Sequence, residues 1–304
     1  MIRFLLAAAI VFQTATDGPA PLFRSGVDVV RLAAVVRDSH GRFVRDLKAA
    51  EFEVFDGGRL RPIKDFRQEV PGLSVAMLFD VSGSMEGQLV HAREAASLLL
   101  ANLDPARDEA AVFRFDTSLH ETAPFTLGLR QLPAAMSKVV PFGATSLYDA
   151  IARTAERVSA REGRRHAVVV FTDGFDNASK LTGPQVSGIA SSIDVPVYIV
   201  GVVSPLDDPT SDAATPSAVH SPLAGALANL AAWTGGGTFV ASTPAQRSIV
   251  ARQILDELRH QYLIAIESAT EPGWHRLTVK LRNKDLAAHA RSGYFVGRAR
   301  AETQ

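Results

Sequence analysis

Four stretches of this chain, Val75 to Phe79, Ala111 to Phe115, Ala167 to Phe171 and Val197 to Val203, are nearly continuous apolar runs rich in Val, Ile and Phe. A strand with one face in water alternates apolar and polar residues. A run without that alternation belongs to a strand covered on both faces. Segments with helical spacing separate and follow these runs: Leu89 to Leu103, Leu127 to Val139, Ser146 to Arg161, Gly183 to Ile193, Leu223 to Trp233 and Pro244 to His260. Phe239-Val240 reads as a last strand. This succession predicts an α/β unit, a doubly wound, mainly parallel six-stranded sheet with helices on both faces.

The flanks follow another pattern. Before Pro71-Gly72, runs such as Val27-Asp28-Val29-Val30-Arg31-Leu32 and Phe52-Glu53-Val54-Phe55 alternate between turn signals at Asp38-Ser39-His40-Gly41 and Asp56-Gly57-Gly58. After Gln261 the alternation returns at Tyr262 to Ile266, Leu277 to Leu281 and Ser292 to Val296. Such runs read as short antiparallel strands, and each flank has too few of them to be stable alone. The expectation is that residues 17–70 and 261–304 pair into one small β-sandwich, with residues 71–260 inserted as the α/β domain. Ser204 to Pro222, with four prolines and no periodicity, reads as a long loop.

Residues 1–16 read as a signal peptide. Met1-Ile2-Arg3 is a basic start, Phe4 to Phe12 an apolar core and Gln13 to Asp17 a small-residue exit. The run is too short to span a bilayer, which takes about 20 residues. The expected location is secreted or periplasmic, with no membrane span after cleavage. A chain of 304 residues that is 47% hydrophobic and 21% charged can bury a sizeable core. Lys and Arg balance Asp and Glu at 32 each, which argues against a nucleic-acid partner. The absence of Cys removes disulfides, thiol catalysis and thiolate metal sites, so any metal must take oxygen or imidazole ligands.

The residues with chemistry to offer sit where the apolar runs end. The first run closes on Asp80, and Ser82 and Ser84 follow at spacings of two, which in extended backbone point the same way. The third run closes on Thr172-Asp173-Gly174, and Gly143-Ala144-Thr145-Ser146 precedes a helix. Ligands of open parallel sheets bind beyond the carboxyl ends of the strands. Two carboxylates and three hydroxyls gathered there suit a small hard cation that takes oxygen ligands in octahedral geometry. The neutral hydroxyls leave a bound divalent ion with net positive charge.

Asp80-Val81-Ser82-Gly83-Ser84, Thr145 and Asp173-Gly174 resemble, in order and in spacing between elements, the metal-ion-dependent adhesion site of von Willebrand factor A domains. The resemblance covers roughly Leu73 to His260. It implies that Ser82, Ser84 and Thr145 hold the ion directly, with Asp80 and Asp173 direct or through water. The ion implied is Mg²⁺, with Mn²⁺ or Ca²⁺ as substitutes, and the partner implied is a protein that offers an Asp or Glu carboxylate. Phe52 to Gly57, Thr145 to Ala150 and Ala290 to Tyr294 are also similar to a bacterial von Willebrand factor A-related family common in Acidobacteria.

Other readings stand beside this one. Asp-Ser-Gly clusters form ordinary turns, Thr145 or Ser146 would cap the helix that follows, and Asp149 suits a helix's first turn. Asp176-Asn177 reads as loop-shaping. Trp233 and Trp274 read as packing residues, and His91 and His166 as structural. A Mg²⁺-dependent hydrolase would use a similar set, but the chain has no phosphate-binding G-x-x-x-x-G-K, no H-E-x-x-H and no G-x-S-x-G. A subunit that assembles with an ATPase is a further alternative, which the export signal disfavours. The expected function is therefore non-enzymatic binding of a protein ligand.

Overall fold

In a computed structural model that describes residues 29–68, 72–192 (191 and 192 in backbone only), 194–202 and 225–296, the chain first lays down four strands. These are β1 (Val29–Arg37), β2 (Phe52–Asp56), β3 (Arg59–Arg61) and β4 (Ile63–Arg67). The signal peptide, Pro71 and the loop from Ser204 to Pro222 lie outside the described residues. The α/β unit follows: β5 (Leu73–Asp80), α1 (Leu89–Ala101), β6 (Glu109–Phe115), β7 (Leu119–Leu127), the single turn α2 (Ala134–Ser137), α3 (Leu147–Ser159), β8 (Arg165–Thr172), α4 (Gly183–Ser192), β9 (Val197–Gly201), α5 (Ala226–Thr234), β10 (Thr238–Val240) and α6 (Pro244–Arg259). The chain closes with β11 (Gln261–Glu267), β12 (Gly273–Leu281), β13 (Ala287–Ala290) and β14 (Gly293–Val296).

The central sheet has the order β10-β9-β8-β5-β6-β7. Its pairs are parallel from β10 through β6, and β7 joins antiparallel at the edge, so the sheet is mixed. All eight residues of β5 are buried. Val75, Met77 and Phe79 face a cluster with α1 and α6, while Ala76 and Leu78 face one with α3, α4 and α5. This two-sided burial is why the apolar runs do not alternate.

One element departs from expectation. Leu127 to Val139 is not a helix. Leu127 ends β7, Gly128 adopts a left-handed φ of 69°, and only Ala134–Ser137 makes a helical turn after Pro133. The apolar spacing imitated a helix, but a glycine at positive φ and a proline that fixes its own φ interrupt it. At the other end of the unit the cap is as the residues dictate. Thr243 accepts the Gln246 N–H, the Gln246 side chain returns to the Thr243 N–H, and Pro244 occupies the first turn of α6.

The outer strands form two sheets, ordered β13-β1-β11-β4 and β14-β12-β2-β3, so strands from before and after the α/β unit are interleaved. Leu32, Phe52, Val54, Tyr262, Ile264 and Leu277 are buried in one cluster between them. The Phe52 and Tyr262 rings pack at 5.0 Å. Trp233 and Trp274 also meet, at 5.6 Å between centroids, but Trp274 is 44% exposed and belongs to the surface rather than to the core. The α/β unit joins these sheets at neighbouring points. β4 enters it, β11 leaves it, and the two strands pair, Arg67 opposite Leu263. The buried guanidinium of Arg165 donates to the carbonyls of Gln68, Leu258 and Gln261 and so ties both crossings together.

Candidate metal centre

Parallel pairing sets the site. Phe79 lies beside Phe171, so the next residues along β5 and β8, Asp80 and Thr172, end their strands side by side. The Thr172 hydroxyl donates to Asp80 Oδ2 at 2.7 Å. Asp80 Oδ1 accepts the Ser82 backbone N–H at 3.0 Å and the Ser82 hydroxyl at 2.6 Å, and the hydroxyls of Ser82 and Ser84 lie 3.2 Å apart. Asp80, Ser82 and Ser84 therefore form a continuous row of oxygens. Asp80, Ser82, Thr145 and Asp173 are buried, and Ser84 is exposed.

Two further loops are bonded to this row. The Gly83 N–H donates to the Gly143 carbonyl at 3.0 Å, and the Phe142 N–H donates to the Val81 carbonyl at 2.9 Å. Those bonds bring the segment that carries Thr145 to the end of β5. The N–H groups of Asn177 and Ala178 donate to the Thr145 carbonyl, and the Thr145 N–H donates to Asn177 Oδ1 at 2.8 Å, which brings in the loop after β8. Gly143 and Gly174 take φ of 89° and 98°, where a side chain would be strained. Gly83 has no such φ and opens a short 3₁₀ turn, Gly83–Met85.

Asp80 is buried with no Lys, Arg or His paired to it among the described residues. Burial pushes its carboxyl up to about 6. Hydrogen bonds from Ser82 and Thr172 oppose that rise, and the charge of Asp173 adds to it. Asp173 is barely committed, since its one bond among the described residues is from the Phe175 N–H at 3.4 Å, long for such a contact. Among the described residues no group of three or more His, Asp or Glu is placed to hold a metal. Any ion at this end must therefore rely on hydroxyls beside two carboxylates. A buried carboxylate with no cationic side chain paired to it among the described residues, in line with two serine hydroxyls, fits a hard divalent cation.

The neighbouring acids shape loops. Asp176 Oδ2 accepts the Tyr148 N–H at 3.0 Å and the Ser179 hydroxyl at 2.6 Å. It thus caps α3 from a distant loop, while Ser146 at the cap position makes no side-chain cap bond. Asp149 accepts the N–H groups of Lys180 and Leu181. Thr172 is the site residue that sequence reading left unassigned. Its signal was its place directly before Asp173 at a strand end. His91 and His166 sit away from the row, beside Glu94 and the Arg161 carbonyl.

Residues 75–175 match the von Willebrand factor type A domain family, and all five expected ligands fall within that span. The α/β unit, with its mixed central sheet and helices, is von Willebrand factor A-like. No curated protein sequence matches the chain. Among solved structures, an aerotolerance-related membrane protein from Bacteroides fragilis is 20% identical, with a TM-score of 0.49, covering 62% of this chain and 98% of that one. A von Willebrand factor type A protein from Catenulispora acidiphila is 13% identical, with a TM-score of 0.48, over 90% and 76% of the two chains. Proximal thread matrix protein 1 from the mussel byssus, solved with a zinc-occupied metal-ion-dependent adhesion site, is 17% identical, with a TM-score of 0.43, over 67% and 50%.

Proposed function

We propose that this chain is an exported, non-enzymatic binding protein whose Asp80, Ser82, Ser84, Thr145 and Asp173 hold Mg²⁺ to capture a carboxylate of a protein partner. The observation that carries the reading is the buried, cation-free Asp80 aligned with the Ser82 and Ser84 hydroxyls at the carboxyl end of the sheet. An ion held there supplies positive charge that three neutral hydroxyls leave uncompensated, which favours an incoming Asp or Glu. The described site offers oxygen ligands and no His placed to act as a general base, in keeping with binding rather than turnover. Export rests on the basic start and apolar run of residues 1–16. The two outer sheets we read as halves of one sandwich that carries the α/β unit.

The test is calorimetric titration of Mg²⁺ into wild type, Ser82→Ala and Asp173→Ala, followed by capture of partners from the exported fraction of the source cells with and without EDTA. Binding of the ion by wild type alone, with captured protein released by EDTA, is the expected result. Equal Mg²⁺ binding by all three proteins removes the site. Metal-dependent turnover of a phosphate ester or peptide that is lost in Asp173→Ala moves the protein to the hydrolases.

A further inference from the structure

The rim of the candidate metal centre is apolar, and on its Val140–Phe142 side it is cationic as well. Val140 is 79% exposed, Phe142 83% and Phe175 59%. Scattered exposed apolar residues are ordinary, but these flank the ligand residues themselves. Phe142 is bonded through its N–H to Val81, between Asp80 and Ser82, and Phe175 through its N–H to Asp173. Their backbones are thus tied to the very segments that would hold the ion, Phe142 by a 2.9 Å bond and Phe175 by a longer one of 3.4 Å, so both rings emerge beside it.

The segment that carries Val140 and Phe142 is cationic, whereas Phe175 stands between Asp173 and Asp176. From Thr122 to Tyr148 the chain carries Arg130 and Lys138 and no Asp or Glu. A cavity of about 370 Å³ next to Val140 is lined by Arg114 and Lys138 together with Thr122, Ala135 and Val139. Arg114 pairs in register with Phe79, one residue short of Asp80, so this cavity lies toward the same end of the sheet. Neither Arg114 nor Lys138 has a carboxylate partner among the described residues.

We infer that the rim selects a particular kind of acidic peptide segment: a metal-seeking Asp or Glu next to an aromatic or aliphatic side chain that packs on Phe142 and Phe175, with a second acidic residue received by Arg114 and Lys138. The inference rests on the metal-site reading above and adds the chemistry of the partner to it. Charge complementarity steers an acidic segment to this edge, and the apolar contact adds affinity that the ion alone does not discriminate.

The experiment is an array of synthetic Gly-Ser peptides with a central Glu. The adjacent residue is Phe, Leu or Ser, and a second Glu is present or absent. Retention of the full chain is measured in Mg²⁺ and in EDTA, with Mg²⁺ binding followed separately by calorimetry. Peptides with Phe or Leu beside Glu should retain at least about tenfold more protein than those with Ser, in Mg²⁺ only. Phe142→Ser and Phe175→Ser, at exposed positions, should keep Mg²⁺ binding and lose that preference. Lys138→Glu should lose the gain from the second Glu. Equal retention with Ser and apolar neighbours, retention unchanged by EDTA, or no retention by protein that binds Mg²⁺ overturns the inference and leaves the metal site standing. Absence of Mg²⁺ binding removes the metal site and the inference with it.

Discussion

The two ends of the β5–β6 pair both bury a carboxylate, and they treat it in opposite ways. At the amino end Glu109 accepts the Ser74 hydroxyl at 2.7 Å and two bonds from Arg161 at 2.8 and 3.0 Å, with Arg164 at 3.9 Å. Burial alone would raise its carboxyl, but the bonds from Arg161 and Ser74 and the charges of Arg161 and Arg164 outweigh burial and hold it below its ordinary value. At the carboxyl end Asp80 has hydroxyl and amide donors only, and burial lifts it to about 6. One end is electrostatically complete. The other has no Lys, Arg or His among the described residues to balance its carboxylate, and this is the feature on which the proposed Mg²⁺ site rests.

The sharpest way to break this contrast is to neutralise the incomplete end. Asp80→Asn should cut Mg²⁺ affinity by at least about 100-fold, read by calorimetry. In the same variant the metal-free fold should be no less stable than wild type at pH 7, because the amide carries no charge to desolvate. A large loss of metal-free stability would make Asp80 a structural residue and erase the difference between the ends.

The converse change belongs at the complete end. Glu109→Ala strands the buried Ser74 hydroxyl and removes the partner of the half-exposed Arg161, and urea unfolding should show a loss of about 2 kcal/mol. Mg²⁺ affinity should stay within twofold of wild type, since the site lies at the far end of the strands.

Acid separates the two carboxylates by sign. Asp80 has a raised folded-state value, so its contribution to metal-free stability is fully present below its ordinary 3.8 and is lost as pH rises through about 6. Glu109 has a lowered one, so its contribution is present above its ordinary 4.5 and is lost as pH falls through the depressed value. Between pH 4.5 and 7, metal-free wild type should therefore lose about 2 kcal/mol relative to Asp80→Asn, a change seen by urea unfolding at each pH. A constant difference across that range would mean that Asp80 titrates normally.

The smallest effect tests what completes the amino end. Asp108 accepts the backbone N–H groups of Leu73 at 3.0 Å and Asp104 at 2.8 Å, and only then Arg259 at 3.4 Å. Arg259→Met should cost less than about 1 kcal/mol, because a half-exposed guanidinium adds little to a carboxylate already held by amides. A cost several times larger would assign the completeness of that end to its ion pairs.

The difference between the ends also decided what could be read in advance. The strands were legible because burial on both faces leaves a continuous apolar run, as in Leu73–Asp80. The candidate site stood out because Asp80 and Asp173 lie where apolar runs close, Ser82 and Ser84 follow at a spacing of two, and Thr145 precedes a helix. β7 was not legible: it is an edge strand, mostly exposed, with Pro124 inside it and a glycine turn after it. Short edge pieces such as β3 and β13 have too little pattern to announce themselves. Thr172 was missed because its role depends on register, and Asp176, read as loop-shaping, shapes its loop but also caps α3 from afar, which local spacing does not encode. The exposure of Phe142 and Phe175 was equally unreadable, since an apolar residue in a loop gives no sign of which way it faces.

The crossing between the α/β unit and the outer sheets has a thermodynamic meaning of its own. β4 and β11 are paired neighbours, and one guanidinium, that of Arg165, grips the backbone on both sides of the gap. Everything from Leu73 to Arg259 is thereby a ring closed by a clasp. An ordinary doubly wound unit frays from its termini, but this one has no loose end to peel, so β5 and α6 can detach only after the β4–β11 ladder opens. Whichever part folds first leaves the ends of the other already together, sparing roughly 5 kcal/mol of chain entropy for a loop of this length. The outer strands and the α/β unit thus lend one another cooperativity through connectivity alone, apart from any contact between their surfaces.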